Sequence, residues 1–396
     1  MSRTHPGTAG EVFLAFLRLG LTSFGGPVAH LGYFRDAFVA RRRWLSDGAY
    51  AEVVALCQFL PGPASSQVGM AIGLQRAGWL GLLAAWVAFT MPSAILLVAF
   101  ALGASSLVDV AGTGWISGFK AAAVAVVAIA VIAMARTLAP DAKRASIAGL
   151  ALVGVLLFPH PAAQVVAIVV AGIIGVLWLR EPAITDDAPL TIRVGRPAAI
   201  VCLGVLALLL IGLPILATVT QDPTLRLVDL FTRAGSLVFG GGHVVLPLLG
   251  AETVPTGLVS ADAFLAGYGA AQAVPGPLFT FAAYLGAVMG SGPSGLLGAA
   301  IALVAIFVPS ALLVVGALPF WARLRTSRLA RRALMGVGAC VVGILAAALY
   351  DPVFTAGVTS VPALCIAVVA FVVLAAWKAP AWAVVIGAGL LGWLVL

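Results

Sequence analysis

The chain contains one set of glycine and proline motifs twice, in the same order and about 215 residues apart. The first copy has FGGP at 24–27 and QFLPGP at 58–63, and the second has FGGGH at 239–243 and QAVPGP at 272–277. Glycine and proline break helices, and matched breaks in two hydrophobic halves are typical of transporters built from internal repeats. The pattern therefore indicates an internally duplicated chain whose functional site lies at the paired breaks.

Composition places both copies in a membrane. Hydrophobic residues make up 62% of the chain and charged residues 9%, and the mean hydropathy is +1.15. Residues 263–322 carry no charge, although a helix needs only about 20 apolar residues to cross a bilayer. The sequence therefore predicts an all-α polytopic membrane protein. Its net charge of +8 is interpreted as loop charge that orients the protein in the bilayer, not as nucleic-acid binding.

The order of polar and apolar segments suggests three regions. Residues 1–180 form a first repeat, residues 181–225 a polar cytoplasmic linker plus one connecting span, and residues 226–396 a second repeat. An odd number of crossings between two repeats turns the second upside down. We therefore expect an inverted repeat.

Charged loops leave two topologies open. The positive run Arg41–Arg43 follows the first glycine motif and is expected in the cytoplasm. This fits if each motif segment is a re-entrant hairpin of two half-helices that enters and leaves on one face. The alternative, in which all four motif segments cross, gives thirteen spans and places these arginines outside. Both topologies put the N-terminus inside and the C-terminus outside. A separate prediction concerns Glu52, which is expected near a loop and exposed to solvent.

Breaks at membrane depth expose backbone groups that lipid cannot satisfy, so they are tolerated where they line a cavity or bind a ligand. The N-terminus of a half-helix also offers free N–H groups and partial positive charge, which suits an anion. The alternative is that these glycines serve only close helix packing. The duplication favours binding, and the candidate substrate-binding residues are Arg18, Gly25, Gly26, Pro27, Gln58, Pro61, Gly62, Pro63, Arg233, Gly240, Gly241, Gly242, His243, Gln272, Pro275, Gly276 and Pro277.

Polar side chains near the breaks could add specificity. Arg18 and Arg233 each precede the phenylalanine of a glycine motif by six residues, and a guanidinium suits a tetrahedral oxyanion. Snorkelling to the lipid headgroups is the alternative for both. The glutamines Gln58 and Gln272 could bind substrate or satisfy broken backbone. His243 has no histidine at the equivalent position, and functional and structural interpretations remain open for it.

Enzymatic and metal-binding motifs are missing from the sequence. There is no HExxH, GxSxG, phosphate-binding loop or dinucleotide fingerprint, and the four cysteines have no metal or redox spacing. We therefore expect a protein that is not an enzyme and has no catalytic residue, no metal site and no cofactor.

At these motifs the chain resembles the chromate ion transporter family, of the long two-domain type. The residues that carry the resemblance are 24–27 with Ala29 and His30, 58–63, 239–247 and 272–277. The resemblance implies a prokaryotic inner-membrane secondary transporter that exports chromate, driven by the membrane potential or a proton gradient, and confers chromate resistance. Sulfate or another oxyanion as substrate, or a passive anion channel, is the alternative, and a homodimer is possible.

Overall fold

A computed structural model describes residues 6–158, 160–180, 194–239 and 242–396, and within them the regular secondary structure is helical. The first half contains the helices α1 (Ala9–Thr22), α2 (Gly26–Arg35), α3 (Asp47–Phe59), α4 (Ala64–Ala111), α5 (Gly114–Leu138), α6 (Ala142–Leu157) and α7 (Pro161–Trp178). A connecting helix α8 (Arg196–Thr220) follows. The second half contains α9 (Pro223–Leu237), α10 (Val245–Thr253), α11 (Ala261–Ala273), α12 (Phe281–Val288), α13 (Gly295–Ala317), α14 (Trp321–Thr326), α15 (Arg328–Ala348), α16 (Thr355–Gly357), α17 (Val361–Ala375) and α18 (Ala381–Val395).

Helix starts follow the duplication. Ser46 caps α3 by accepting a hydrogen bond from the amide of Ala49, and Ser260 caps α11 in the same way from Ala263. A serine oxygen at this position satisfies a first-turn N–H group that has no partner within the helix. The helix before each Pro-Gly-Pro motif therefore begins with the same device in both halves.

The motif segments of the first half form two re-entrant hairpins. The amide of Gly7 donates to the carbonyl of Arg76 (3.0 Å), and the Arg76 guanidinium pairs with Glu11 at 2.9 Å. The same guanidinium lies 4.9 Å from the ring centre of Trp44. The start of α1, the loop before α3 and residue 76 therefore meet at one face of the protein. The chain then reverses at Ala77 and Gly78, where non-helical backbone angles divide α4 into two arms.

The second half repeats this arrangement. The amide of Gly290 donates to the carbonyl of Leu258 (2.9 Å), and Gly292 packs against Pro223, the first residue of α9. Five passes separate the two sets of hairpins: the second arm of α4, then α5, α6, α7 and α8. This odd number places the sets at opposite faces. The inverted repeat and the re-entrant hairpins are confirmed, and the alternative with thirteen spans is wrong.

Length and apolarity support a membrane location for the long helices. Within the described residues, five helical segments are long and apolar enough to cross a bilayer. They are Ala64–Ala104, Gly114–Leu138, Arg196–Thr220, Gly295–Thr326 and Arg328–Gly357.

The halves interlock by exchanging helical hairpins. The α6–α7 hairpin of the first half packs on α15 of the second, and the α17–α18 hairpin packs on α5. Glycines allow close approach in both places, because Gly336 lies against Gly175 and Gly118 lies against Gly392. The two repeats therefore form one body. The predicted boundaries at 180 and 225 stay a prediction, and residues 181–193 of the linker lie outside the described residues.

Ion pairs join the halves at both faces. Glu52 on α3 accepts hydrogen bonds from Trp321 Nε1 (2.7 Å) and Arg325 Nη1 (2.9 Å). Lys120 on α5 pairs with Asp262 on α11 at 2.7 Å. The prediction that Glu52 is exposed to solvent is wrong: its exposed fraction is 3%. A carboxylate tolerates such burial only with charged or hydrogen-bonding partners, and these come from the other half of the chain.

Candidate functional site

The four helix breaks meet through two equivalent backbone hydrogen bonds. The amide of Gly62 donates to the carbonyl of Val238 (2.6 Å), and the amide of Gly276 donates to the carbonyl of Ser23 (2.9 Å). Ser23 and Val238 hold matching positions, as the residues that end α1 and α9. Each Pro-Gly-Pro motif is therefore bound to the glycine motif of the opposite half.

Glycine is required at the centre of each Pro-Gly-Pro motif. The backbone angle φ is +119° at Gly62 and +99° at Gly276, a region that side chains disfavour. A Cβ on Gly62 would also lie 2.6 Å from Ser310 Oγ, and a Cβ on Gly276 would lie 2.8 Å from Ser93 Oγ. These two serines are fully buried and belong to a second repeated motif, Pro-Ser-Ala, within α4 and α13.

His30 contacts the first break through both nitrogens of its ring. Its Nε2 lies 3.2 Å from the carbonyl oxygen of Ser23, and its Nδ1 lies 3.3 Å from Ser65 Oγ. Because a carbonyl can only accept, the proton is placed on Nε2, and Nδ1 then accepts from the serine hydroxyl. His30 is fully buried, so it braces the same carbonyl that receives the Gly276 amide.

A cavity of about 400 Å³ lies between the halves at these breaks. Its polar and backbone-exposing lining consists of Gly25, Gly26, Pro27, Gly242, His243, Gln272 and Gly276. Apolar residues of α5 and of the α17–α18 connection complete the wall. None of the described residues that line the cavity is charged. We refer to this space as the central cavity.

Helix starts supply backbone donors to the central cavity. The first helix residue of α2 is Gly26, preceded by Gly25 in a left-handed conformation with φ of 99° and without any side-chain cap. The first-turn amides of α2 are thus left without a side-chain partner at the cavity wall. The short 3₁₀ turn Gly242–Val244 begins the matching arm on the other side. Free amides at a helix start favour an anion.

Two side chains of the second half add polar groups. Nδ1 of His243 lies 2.8 Å from the hydroxyl of Tyr268, which fixes the ring, and His243 lines the central cavity. Gln272 follows Tyr268 by one helical turn and also lines the central cavity. A side-chain amide carries two N–H donors and one oxygen acceptor, so this residue adds polar groups to the wall.

The other predicted site residues lie elsewhere. Arg18 and Gln58 are exposed, and Arg233 is held by Asp229 and Glu252. Pro61, Gly62, Pro63, Pro275 and Pro277 pack at the junction but do not line the central cavity. Gly240 and Gly241 lie outside the described residues. A substrate role for each residue of the predicted set stays a prediction.

The equivalent helices of the two halves differ in burial. Residues 264–271 of α11 are buried against neighbours that include α5. The equivalent helix α3 exposes Ala51, Ala55 and Gln58. This difference explains why Gln272 reaches the central cavity whereas Gln58 does not.

Sequence reasoning did not predict a role at the breaks for several residues. His30, Tyr268, Ser93 and Ser310 support the breaks, and Asp229 partners Arg233. One signal was available, because Asp229 and Arg233 are four residues apart, as expected for an ion pair on one helix face. The repeated Pro-Ser-Ala motif with Ser93 and Ser310 was a second signal, whereas nothing local marked the contact of Tyr268 with His243.

Comparisons with known proteins agree on one family. The family model described as chromate transporter matches residues 10–176 and 225–393. A chromate transport protein of Pseudomonas aeruginosa is 29% identical over 97% of this chain and 92% of its own. A chromate transport protein of Cupriavidus metallidurans is 26% identical over 86% of this chain and 82% of its own. An uncharacterized transporter of Methanocaldococcus jannaschii is 27% identical over 88% of this chain and 85% of its own. No solved structure matches the chain.

Proposed function

The chain belongs to the chromate transporter family, and from that premise we propose that it is a secondary transporter that exports chromate across the inner membrane and confers chromate resistance. The membrane potential or a proton gradient drives export. Chromate is a tetrahedral dianion, so its site must supply hydrogen-bond donors and exclude carboxylates. The substrate site in this proposal is the central cavity.

The observation that carries the proposal is the lining of the central cavity, whose described residues include an uncapped helix start and two polar side chains but no acid. Both repeats contribute the start of a helical segment, at Gly26 and Gly242. His243 and Gln272 face the same space. Neutral polar groups bind an oxyanion without a permanent ion pair, so the anion can also leave. A cavity wall built from both repeats can open to either face as the repeats move.

Positive charge supports the orientation in this proposal. Arg41–Arg43 and Arg76 lie at the face of the first-half hairpins, and the α14–α15 segment with its arginines reaches the same face through the Glu52–Arg325 pair. Lysine and arginine are retained on the cytoplasmic side. In this proposal the face is the cytoplasmic one, with the N-terminus inside and the C-terminus outside.

Uptake of labelled chromate into respiring inside-out vesicles tests the proposal. Vesicles that contain the protein should accumulate chromate, and an uncoupler should abolish the accumulation. Vesicles without the protein are the first control. Vesicles with the variant Gln272→Ala, which removes a side-chain donor while leaving the backbone breaks intact, are the second, and they should accumulate less.

The outcomes separate the alternatives. Accumulation that excess sulfate suppresses would assign a broader oxyanion substrate. Chromate that equilibrates without accumulating would identify a passive anion channel. Absence of any chromate entry, in vesicles shown to contain folded protein, would contradict the proposed function.

A further inference from the structure

Three charged side chains form a cluster between the two arms of the second glycine hairpin. Arg233 on α9 pairs with Asp229 one turn earlier, with Nη2 2.9 Å from Oδ2. The same guanidinium binds Glu252 on α10 through both carboxylate oxygens, at 2.6 and 2.8 Å. We call Asp229, Arg233 and Glu252 the carboxylate–arginine cluster.

The cluster holds one more acid than base. Two ionised carboxylates beside one guanidinium leave a surplus negative charge, and Asp229 is only 7% exposed. Its Oδ1 is buried and has no hydrogen-bond partner in the described structure. A buried anionic oxygen without a partner is far costlier than a neutral carboxyl group. The least costly way to remove the surplus charge is to bind a proton.

We propose that the carboxylate–arginine cluster is the proton-binding site that couples this transporter to the proton gradient, an inference that rests on the proposed function. The Asp229–Glu252 carboxyl pair accepts one proton, and the net charge of the cluster changes from −1 to zero. When the proton leaves, the surplus charge returns and favours a conformation in which water or another donor reaches Asp229. Proton binding and release therefore bias the hairpin between two arrangements.

The position of the cluster links it to the central cavity. Asp229 and Arg233 lie on α9, which ends at Val238, the acceptor of the Gly62 amide. Glu252 lies on α10, the arm that begins beside His243. The cluster therefore ties together the two arms whose junction forms one wall of the central cavity. A change in charge at the cluster alters the angle between these arms and so the cavity wall.

Neighbouring elements offer little competing charge. On α9 itself, Arg226 is exposed, and Asp222 caps the helix at its exposed start. Helices α7 and α13 carry no titratable residue, and Arg196 lies at the start of α8. The arginines of α15 lie in its first turns. They are about 18 Å or more along the helix from Ile344, which lies beside α10. His160 and Asp351 line an adjacent cavity with Ala251. Asp262 is paired with Lys120.

The cluster belongs to one repeat only. The residues of the first half that correspond to Asp229 and Glu252 are Leu14 and Ala37, and Arg18 is exposed. The substrate breaks are duplicated, whereas this acid pair is not. The proton site therefore lies in the second repeat only, whereas both repeats contribute to the central cavity. Proton binding changes the charge of one wall of the cavity and not of the other.

Two transport measurements on inside-out vesicles test the coupling. The first is exchange of labelled for unlabelled chromate without any gradient, and the second is accumulation driven by an imposed pH gradient, acidic in the lumen. Asp229→Asn and Glu252→Gln keep the shape of each side chain and remove its charge. We expect both variants to retain exchange and to lose the accumulation driven by the pH gradient. Asp36→Asn, at an exposed ion pair with Arg41, is the matched control and should retain both.

Infrared spectroscopy of the purified protein tests the proton site without substrate. Wild type should show the C=O band of a protonated, buried carboxylic acid. Asp229→Asn removes the group, and Glu252→Gln removes the surplus charge, so both variants should lose this band whereas Asp36→Asn keeps it. A band unchanged in both variants would overturn the proposal.

The two measurements keep the proposals apart. If wild-type vesicles exchange no chromate, the proposed function fails, and the infrared result still decides whether the cluster binds a proton. If wild type exchanges chromate and both variants accumulate it as wild type does, the proton site is refuted and chromate transport stands. Equal loss of exchange and accumulation in folded variants would assign the cluster a purely structural role.

Discussion

The backbone amide of Gly276 donates a hydrogen bond to the carbonyl of Ser23, 2.9 Å away on the opposite repeat. The same contact joins Gly62 to Val238 at 2.6 Å. Broken helices leave backbone N–H and C=O groups that lipid cannot satisfy. Here an amide at a break in one half binds a carbonyl at a break in the other half. The halves are therefore held together by the groups that the helix breaks expose, which places the central cavity at their boundary.

Replacing Gly276 with alanine should destabilise this junction. Its φ of +99° costs alanine about 1–2 kcal/mol, and the new Cβ would lie 2.8 Å from Ser93 Oγ. We expect a lower thermal unfolding temperature in detergent together with loss of chromate transport. Gly257→Ala is the control, because Gly257 has φ of +71° and open space around it. Equal effects of the two substitutions would show that the junction contact is unimportant.

Removing the imidazole of His243 should weaken substrate binding. Its ring is fixed by Tyr268 and borders the central cavity, and a hydrogen bond to an anion is worth enough to change affinity about tenfold. We expect His243→Ala to raise KM for chromate about tenfold while the maximal rate falls less. His160→Asn, in a separate cavity, retains an N-cap residue and should leave KM unchanged. An unchanged KM in His243→Ala would remove this residue from the site.

The buried ion pair between Glu52 and Arg325 should stabilise the contact between halves. Arg325→Ala leaves the carboxylate of Glu52, which is 3% exposed, with the indole N–H of Trp321 as its remaining partner, at a cost of about 3–5 kcal/mol. Glu52→Gln in the same chain removes the uncompensated charge and should recover part of the lost stability. Thermal unfolding of wild type, both single variants and the double variant measures this coupling. Additive effects would contradict the prediction.

The two motif arginines should respond differently to substitution. Arg18 is exposed, so Arg18→Gln should change transport and stability little. Arg233→Gln leaves two acids of the second hairpin without their cation and should lower both the unfolding temperature and transport. Vesicle assays and thermal unfolding of matched preparations compare them. Similar losses in both variants would favour the symmetric substrate role that the sequence alone predicts.

The sequence by itself determined the duplication and the membrane class, and it predicted helix breaks that the structure brings together. Local chemistry was sufficient, because clustered glycine and proline disfavour a continuous helix, and the repeat of the glycine and Pro-Gly-Pro motifs needs no tertiary information. The charge of Arg41–Arg43 also favoured re-entrant hairpins, which the contact of Arg76 with Glu11 and Trp44 confirms. The helix breaks and the hairpins could be predicted because they depend on residues that are close in sequence.

Only the tertiary structure decided which equivalent residues share a role. Arg18 and Arg233 match in sequence, but acids from the same hairpin hold Arg233 and leave Arg18 exposed. Glu52 looked like a loop acid until α14, some 270 residues later, supplied Trp321 and Arg325. Burial and charge pairing depend on which distant segments pack together, and a duplicated motif cannot encode how its two copies come to differ.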